Sequence, residues 1–393
     1  MRKSRLAMAV LGAFAGTAHA QSSVTLYGII DAGLTYVSSQ GAAVDSTSGS
    51  RNVKFSSGNL QGSRWGLSGS EDLGGGLKAI FTLENGFDLG NGTASASGKM
   101  FGRQAYVGLT SASAGAITIG RQYDSVVDFV GPFASGSQWA TFSGAHIFDN
   151  DNLNNSFRIN NSIKYTTANY NGLSAGALYG FSNQANGGKG SGFANNRAWS
   201  AGLGYANGPL ALGVGYLYLS GPAATSPLNA GGAVSGDYTS YPTTLDAEPA
   251  DSMVARQQVL AAGGSYAFGP ATVGLVYSHS TFGYEDDQGH WKFNNVELNA
   301  KYMLTPALQL GVAYIYTWST LSGAVTEPGG VSQKIQQVNL GLDYWLSKRT
   351  DAYLVGLWQH ASNDGSNNAQ LNGQPFAAGI NQFVVTAGVR HKF

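Results

Sequence analysis

The chain has 393 residues, 43% of them hydrophobic and only 11% charged, with 56 glycines, no cysteine, and 22 basic against 22 acidic side chains. A soluble domain carries roughly 25% charge and about 7% glycine, so this composition departs from that class in both directions. The 20 Tyr and 18 Phe exclude a disordered Gly-rich polymer, the missing cysteine excludes a disulfide framework or thiolate metal site, and the charge balance leaves no footprint for nucleic acid.

Met1-Arg2-Lys3-Ser4-Arg5 is a basic start, Leu6 to Ala18 a short apolar run, and Ala18-His19-Ala20 a small-x-small cleavage site. That order predicts a secretory signal peptide over 1–20 and a mature domain over 21–393. Cleavage leaves 19 basic against 22 acidic residues, a net charge of −3. No run of 18 apolar residues follows, so no transmembrane helix is expected.

From there the pattern has period two. Leu26, Ile30, Ala32 and Leu34 oppose Thr25, Tyr27, Asp31 and Thr35; Val296, Leu298, Ala300, Tyr302 and Leu304 oppose Glu297, Asn299 and Lys301. Leu308, Leu310, Val312, Tyr314, Tyr316 and Trp318 oppose Gln309, Gly311, Ala313 and Thr317. Val338, Leu340, Leu342 and Tyr344 oppose Gln337, Asn339, Gly341 and Asp343, and the last segment, Phe383 to Phe393, alternates likewise. Each is a strand with one apolar and one polar face. A soluble sandwich would also alternate, but these segments run about 10 residues or more, enough to cross a bilayer at a tilt. Trp318, Trp345, Trp358 and Phe393 cluster near segment ends, where membrane interfaces hold aromatics. The polar face is small, often Gly, Ser or Thr, which suits a wet lumen.

Sixteen strands are predicted, beginning near residues 23, 61, 77, 99, 116, 157, 173, 196, 209, 254, 271, 291, 307, 334, 350 and 380. Short turns such as Asn207-Gly208 alternate with long loops such as 39–50, 124–156 and 221–252. All ten prolines fall in connections: Pro132, Pro222, Pro227, Pro242, Pro249, Pro328 and Pro375 in long loops, Pro209, Pro270 and Pro306 at short turns. Proline cannot donate to a ladder, and a sheet in lipid must close to leave no open edge. The expected fold is an all-β transmembrane antiparallel β-barrel wide enough for an aqueous channel.

Val24-Thr25-Leu26-Tyr27-Gly28, Ser63-Arg64-Trp65-Gly66-Leu67, Glu71-Asp72-Leu73-Gly74-Gly75-Gly76-Leu77, Phe101-Gly102-Arg103-Gln104-Ala105-Tyr106-Val107-Gly108-Leu109, Gly120-Arg121-Gln122-Tyr123 and the terminal Phe393 together resemble the general porins of the Gram-negative outer membrane, β-proteobacterial branch. The resemblance covers the whole mature chain. It implies a 16-stranded homotrimeric barrel among outer-membrane lipid and lipopolysaccharide, passing small hydrophilic solutes and ions by passive diffusion, with the third long loop folded inward. It implies no enzyme activity and no cofactor. It also implies that Phe393 is the signal for the barrel-insertion machinery. A substrate-selective porin for a sugar or organic anion is the alternative, since selectivity lies in loop geometry.

The connection from Asp124 to Ser156 carries Asp128, Asp149 and Asp151, and Arg64, Arg103, Arg121 and Arg158 bracket it. The resemblance places Arg64, Arg103 and Arg158 on the wall facing this loop, with Glu84 seated among them. Arg158 shares strand parity with Asn160, Ser162 and Lys164, which gives an inward direction from the pattern too; for Arg103 the alternation is poor. The expected pore constriction is Arg64, Arg103, Arg121 and Arg158 with Glu84, Asp31 and, across the channel, Asp128. Some porins carry a Lys where this chain has Ile29, and Asp31 adds an inward carboxylate, so the sign of the ion preference stays open.

Asp149-Asn150-Asp151-Asn152 loosely resembles a calcium loop, but Leu153 stands at the next ligand position; a solvated acidic loop is expected. His146, His279, His290 and His360 share no spacing and read as surface or lumen histidines, and His360 with Ser362 has no acidic companion for a hydrolase.

Overall fold

The structure, a computed structural model, describes residues 23–41, 47–96, 98–183, 196–222, 232–238, 244–245, 252–285, 289–323, 331–363 and 368–393. The expected signal peptide lies outside them. Sixteen strands follow in chain order, each antiparallel to the next: β1 (Ser23–Gly41), β2 in two segments (Gly49–Ser57 and Arg64–Gly74), β3 (Leu77–Gly86), β4 (Gln104–Ser111), β5 (Gly115–Gln122), β6 (Ile159–Thr166), β7 (Leu173–Gly180) and β8 (Ala198–Asn207) form the first half. β9 (Leu210–Ser220), β10 (Ser252–Phe268), β11 (Ala271–Tyr284), β12 (His290–Thr305), β13 (Leu308–Ser322), β14 (Val331–Trp345), β15 (Thr350–Asn363) and β16 (Asn381–Lys392) complete it. β16 pairs back onto β1, from Ile29↔Lys392 to Val37↔Val384, so the sheet has no free edge.

The outward face carries the apolar side of every alternating segment. Leu26, Leu34, Val53, Leu275, Leu298 and Leu340 are exposed, which in a bilayer means facing acyl chains. The prolines behave as a closed ladder requires: Pro209 and Pro270 only accept, from Ala267 N at 2.9 Å and Met303 N at 2.9 Å. Phe393 closes the seam through mutual backbone bonds with Gly28, both 3.1 Å, while its ring lies over the Gly28 Cα where any side chain would collide.

The second strand departs from the expected start near 61. It begins at Gly49, pairs with the outer half of β1, leaves the sheet at 58–63, and rejoins at Arg64 to pair with the inner half. Asp31 is the reason. Its buried carboxylate accepts from Leu60 N at 2.7 Å and Gln61 N at 2.8 Å, and Tyr353 OH donates to it at 2.6 Å. Asp31 faces inward as the parity requires, but it cages a backbone bend.

A large buried apolar cluster sits inside the barrel, between the long third loop and the inner wall; Val126, Val130 and Phe133 meet Leu178, Leu217, Val259 and Val276 there. This loop holds α1 (Ser125–Phe129), α2 (Ser135–Gln138) and three 3-10 turns, Gly131–Phe133, Phe142–Gly144 and Ile147–Asp149. Asp124 caps α1, accepting from Val126 N at 2.8 Å.

Candidate pore constriction

Glycine makes room for the loop. A Cβ at Gly202 or Gly204 would stand 2.5 or 2.9 Å from the Phe129 ring, and one at Gly341 would stand 2.6 Å from Trp139, whose ring also covers Gly311. These glycines share the inward face of β8, β13 and β14, so bare backbone there forms seats for two large rings. Amides fix the loop between the rings. Asn339 Nδ2 donates to Gly144 O at 2.8 Å, Gln337 Nε2 to the same oxygen at 3.1 Å, Gln257 Nε2 to Asn150 O at 3.0 Å and Asn299 Nδ2 to Phe133 O at 2.8 Å.

One ionic group lies beneath the loop. His146 Nδ1 bonds Asp151 Oδ2 at 2.6 Å, and its Nε2 stands 3.2 Å from Glu297 Oε2 on β12; Glu297 Oε1 also accepts from Ser135 N at 2.6 Å. Burial pulls the imidazole down, but Asp151 and Glu297 outweigh it and hold its pKa up at about 10. Asp151 is raised by burial and lowered more by His146, so the pair stays ionised. The expected solvated acidic loop is therefore corrected: Asp149 and Asp151 are buried. Asp149 accepts from Asn154 N, Ser156 N and Ser156 Oγ, and Asp151 anchors the histidine. His146, read as a surface or lumen histidine, is buried inside the barrel beneath the loop.

The loop thus lies on one side of the lumen and leaves a cavity of about 710 Å³ against the other. Arg64, Arg103 and Arg158 line it on the wall side, Asn59 and Gln61 at the bend, and Ser137, Asn154 and Ser156 on the loop side. Glu84 lies behind the arginines: Arg103 Nε donates to Oε1 at 2.7 Å, Tyr27 OH donates to Oε2 at 3.0 Å, and Arg64 Nε is 3.8 Å away. Tyr123 OH bridges Arg103 Nη2 (3.0 Å) and Glu84 Oε1 (3.2 Å). Arg158 has no carboxylate partner among the described residues; its guanidinium lies 5.9 Å over the Tyr123 ring and its buried Nε bonds nothing. Burial and the Arg103 charge draw its pKa down to about 10, so it remains a cation at neutral pH.

Not every predicted residue gathers here. Arg121 donates to Gly102 O at 3.0 and 2.6 Å and pairs with Asp237, away from the cavity lining. Asp128 pairs with Lys164, whose Nζ also donates to Tyr123 O at 3.0 Å, and it too is absent from the lining. Asp31 holds the bend that carries Gln61. The parity argument for Arg158 also fails locally. Asn161 has φ +51, and the register shifts by one between Gly120↔Ser162 and Gln122↔Ile159. This bulge puts Ile159 and Ser162 both inward. Arg158 reaches the channel as the last loop residue, not as a strand position. Tyr27, Tyr123 and Glu297 were missed; Tyr27 and Glu297 both lay on polar faces of alternating segments, which was the available signal.

Comparison with known proteins agrees with this architecture. A family model described as Gram-negative porin matches residues 7–365. An outer membrane porin protein of Bordetella pertussis is 34% identical over 422 residues, and outer membrane porin protein 32 of Delftia acidovorans is 30% identical over 407, each covering 100% of both chains. Among solved structures, an anion-selective porin from Comamonas acidovorans superposes with a TM-score of 0.72 at 26% identity, over 95% of this chain and 100% of that one.

Proposed function

The chain belongs to the Gram-negative porins, and from that premise we propose that its channel prefers anions. It is a multi-pass barrel of the outer membrane whose water-filled lumen passes small hydrophilic solutes and ions by passive diffusion. The observation that carries the preference is the composition of the constriction: among the described residues three guanidinium groups and no carboxylate line it, and the carboxylate that touches Arg103, Glu84, lies buried behind. Arginine keeps its charge at any physiological pH. Low-dielectric walls focus that field across the gap. The amides of Asn154 on the facing loop and of Gln61 at the bend offer hydrogen bonds without charge, so an anion is attracted yet able to leave. The name of the Comamonas relative supports the same sign.

The test is the reversal potential of single channels under a tenfold salt gradient. The wild type is expected to favour chloride, and the triple variant Arg64→Ser, Arg103→Ser, Arg158→Ser to lose that preference. A wild type that favours potassium, or a variant that keeps the chloride preference, overturns the assignment.

The remaining expectations belong to the same reading. The first 20 residues act as an export signal, and the barrel assembles as a homotrimer. Phe393, held over Gly28 at the seam, is read by the insertion machinery. His360 bonds Asn381 on β16 and Ser362 bonds Lys334 O on β14, so the two side chains are engaged with different neighbour strands.

A further inference from the structure

A second stretch of chain folds against the third loop from the long connection between β9 and β10. Residues 232–238 form a tight turn there, with Ser235 N donating to Gly232 O and Asp237 N to Val234 O, both at 3.1 Å. Ala233 and Val234 are buried in the same apolar cluster as Val126, Leu153 and Phe157. The wall holds Ala233 at both ends: its N donates to Asn196 O at 2.8 Å, and its O accepts from Asn160 N at 2.7 Å. Tyr238 OH donates at 2.6 Å to Gln257, the side chain that also holds the third loop at Asn150 O, and its ring lies 5.6 Å from that of Phe157. Gly236, at φ +73, completes the turn that brings Asp237 to the wall; a Cβ at 236 would stand 3.3 Å from Lys99 Nζ.

Asp237 lands between two cations from other parts of the chain. Its Oδ1 pairs with Lys99 and its Oδ2 with Arg121, and Lys99 Nζ also donates to Ser235 O at 3.0 Å. The carboxylate is buried between them, while Lys99 stays partly open. Among the described residues no other carboxylate pairs with either cation. These charges reach the constriction. Arg121 and Asp237 both act on the Arg158 guanidinium, one repelling it and the other attracting it, and Arg158 has no carboxylate partner among the described residues. Long loops mark the outer end of such barrels, so the group stands at the outer approach to the cavity, three cations against one carboxylate. Low-dielectric walls focus the field of each of them into the channel. We infer that Asp237 is a specificity-determining residue of this channel: as the counterion of Lys99 and Arg121 it limits the positive field around Arg158, and so sets how strongly the outer mouth favours anions. The inference rests on the cationic constriction proposed above and gives its control to a carboxylate from a different loop.

Single channels of the full-length protein are recorded in a potassium chloride gradient whose dilute side is at about 0.01 M, where screening extends over about 30 Å. Asp237→Asn is expected to raise the chloride-over-potassium permeability ratio about twofold or more, and Asp237→Glu, which keeps the charge, to leave it at the wild-type value. Asp237→Asn/Lys99→Gln loses the same ion pairs but restores the net charge of the group, so it should return the ratio to the wild-type value. No change in Asp237→Asn, or an equal rise in Asp237→Glu, overturns the inference. So does a double variant that keeps the whole rise, because the carboxylate would then act by docking residues 232–238 and not by its charge. Each shift is read against the wild type, whichever ion that prefers. A wild type that prefers potassium therefore overturns the anion preference alone and leaves this test standing.

Discussion

The two sides of this channel are built from opposite chemistry. On β2–β4 the inner wall is charge: Arg64 and Arg103 share Glu84, to which Tyr27 and Tyr123 also donate, and Arg158 joins them from the loop end. On β8–β14 the inner wall is glycine and amide, and the loop lies upon it. The loop carries four aspartates, yet none faces the arginines. Asp124 caps a helix and Asp149 ties the loop to itself. Asp151 holds His146, and Asp128 meets Lys164. A net charge near zero therefore coexists with a cavity whose charged lining, among the described residues, is guanidinium, because the loop carboxylates are engaged elsewhere.

Breaking the docked side should have the largest effect. Glu297→Leu leaves the protonated His146 with one partner and Ser135 N–H with none, a loss of about 3–5 kcal/mol for a broken buried pair. Conductance should rise and become noisy, and heat denaturation should fall by several degrees while the β-sheet circular dichroism persists. Unchanged conductance would mean that the loop is held without this pair. Trp139→Ala empties the seat on Gly311 and Gly341 and should cost about 3 kcal/mol by the scale of large core truncations, with a smaller rise in conductance. The seat makes the comparison reciprocal: Gly341→Val should mimic Trp139→Ala, since its Cβ would occupy the space of the ring.

Alkali should act on the same side more gently. Asp151 and Glu297 raise His146 from an ordinary value near 6.5 to about 10. The stability it contributes is complete below about pH 6.5 and is lost as pH climbs through about 10. Asp149 is raised by burial and by Asp151, so it too favours the docked loop when protonated and weakens it as pH rises. Open-channel noise should rise slightly as Asp149 titrates through about 7 and more steeply above about 10, and His146→Gln should flatten the second rise. Arg158 discharges in the same alkaline window, so selectivity must be read apart from noise. Noise that grows instead on acidification would remove the ionic latch from the account.

Much of this was legible in the sequence because period two is a local signal. Val338 to Tyr344 shows its apolar face without knowledge of its neighbours, and the ten prolines mark the connections. What the pattern could not give was the interruption of β2, since the force that bends it comes from Asp31, 29 residues away from Leu60. Nor could parity survive the bulge at Asn161, where a single positive φ reverses every alternation behind it. The direction of the loop carboxylates was illegible for a related reason: loop side chains have no period, and Asp128 is drawn to Lys164 by a contact the sequence does not order.

That pair supplies the smallest expected effect and the sharpest test of the two-wall contrast. Asp128→Asn removes a carboxylate that is already neutralised and lies outside the cavity lining. It frees the Lys164 charge, so anion preference should increase slightly, by far less than Arg103→Ser reduces it. Salt screens the difference beyond about 10 Å at 0.1 M, so the increase should shrink as salt rises, whereas the effect of Arg103, which lines the gap itself, should persist. If Asp128→Asn moved the reversal potential as far as Arg103→Ser, the loop carboxylate would stand in the stream of ions after all. The constriction would then be a two-signed field rather than a cationic rim facing amides.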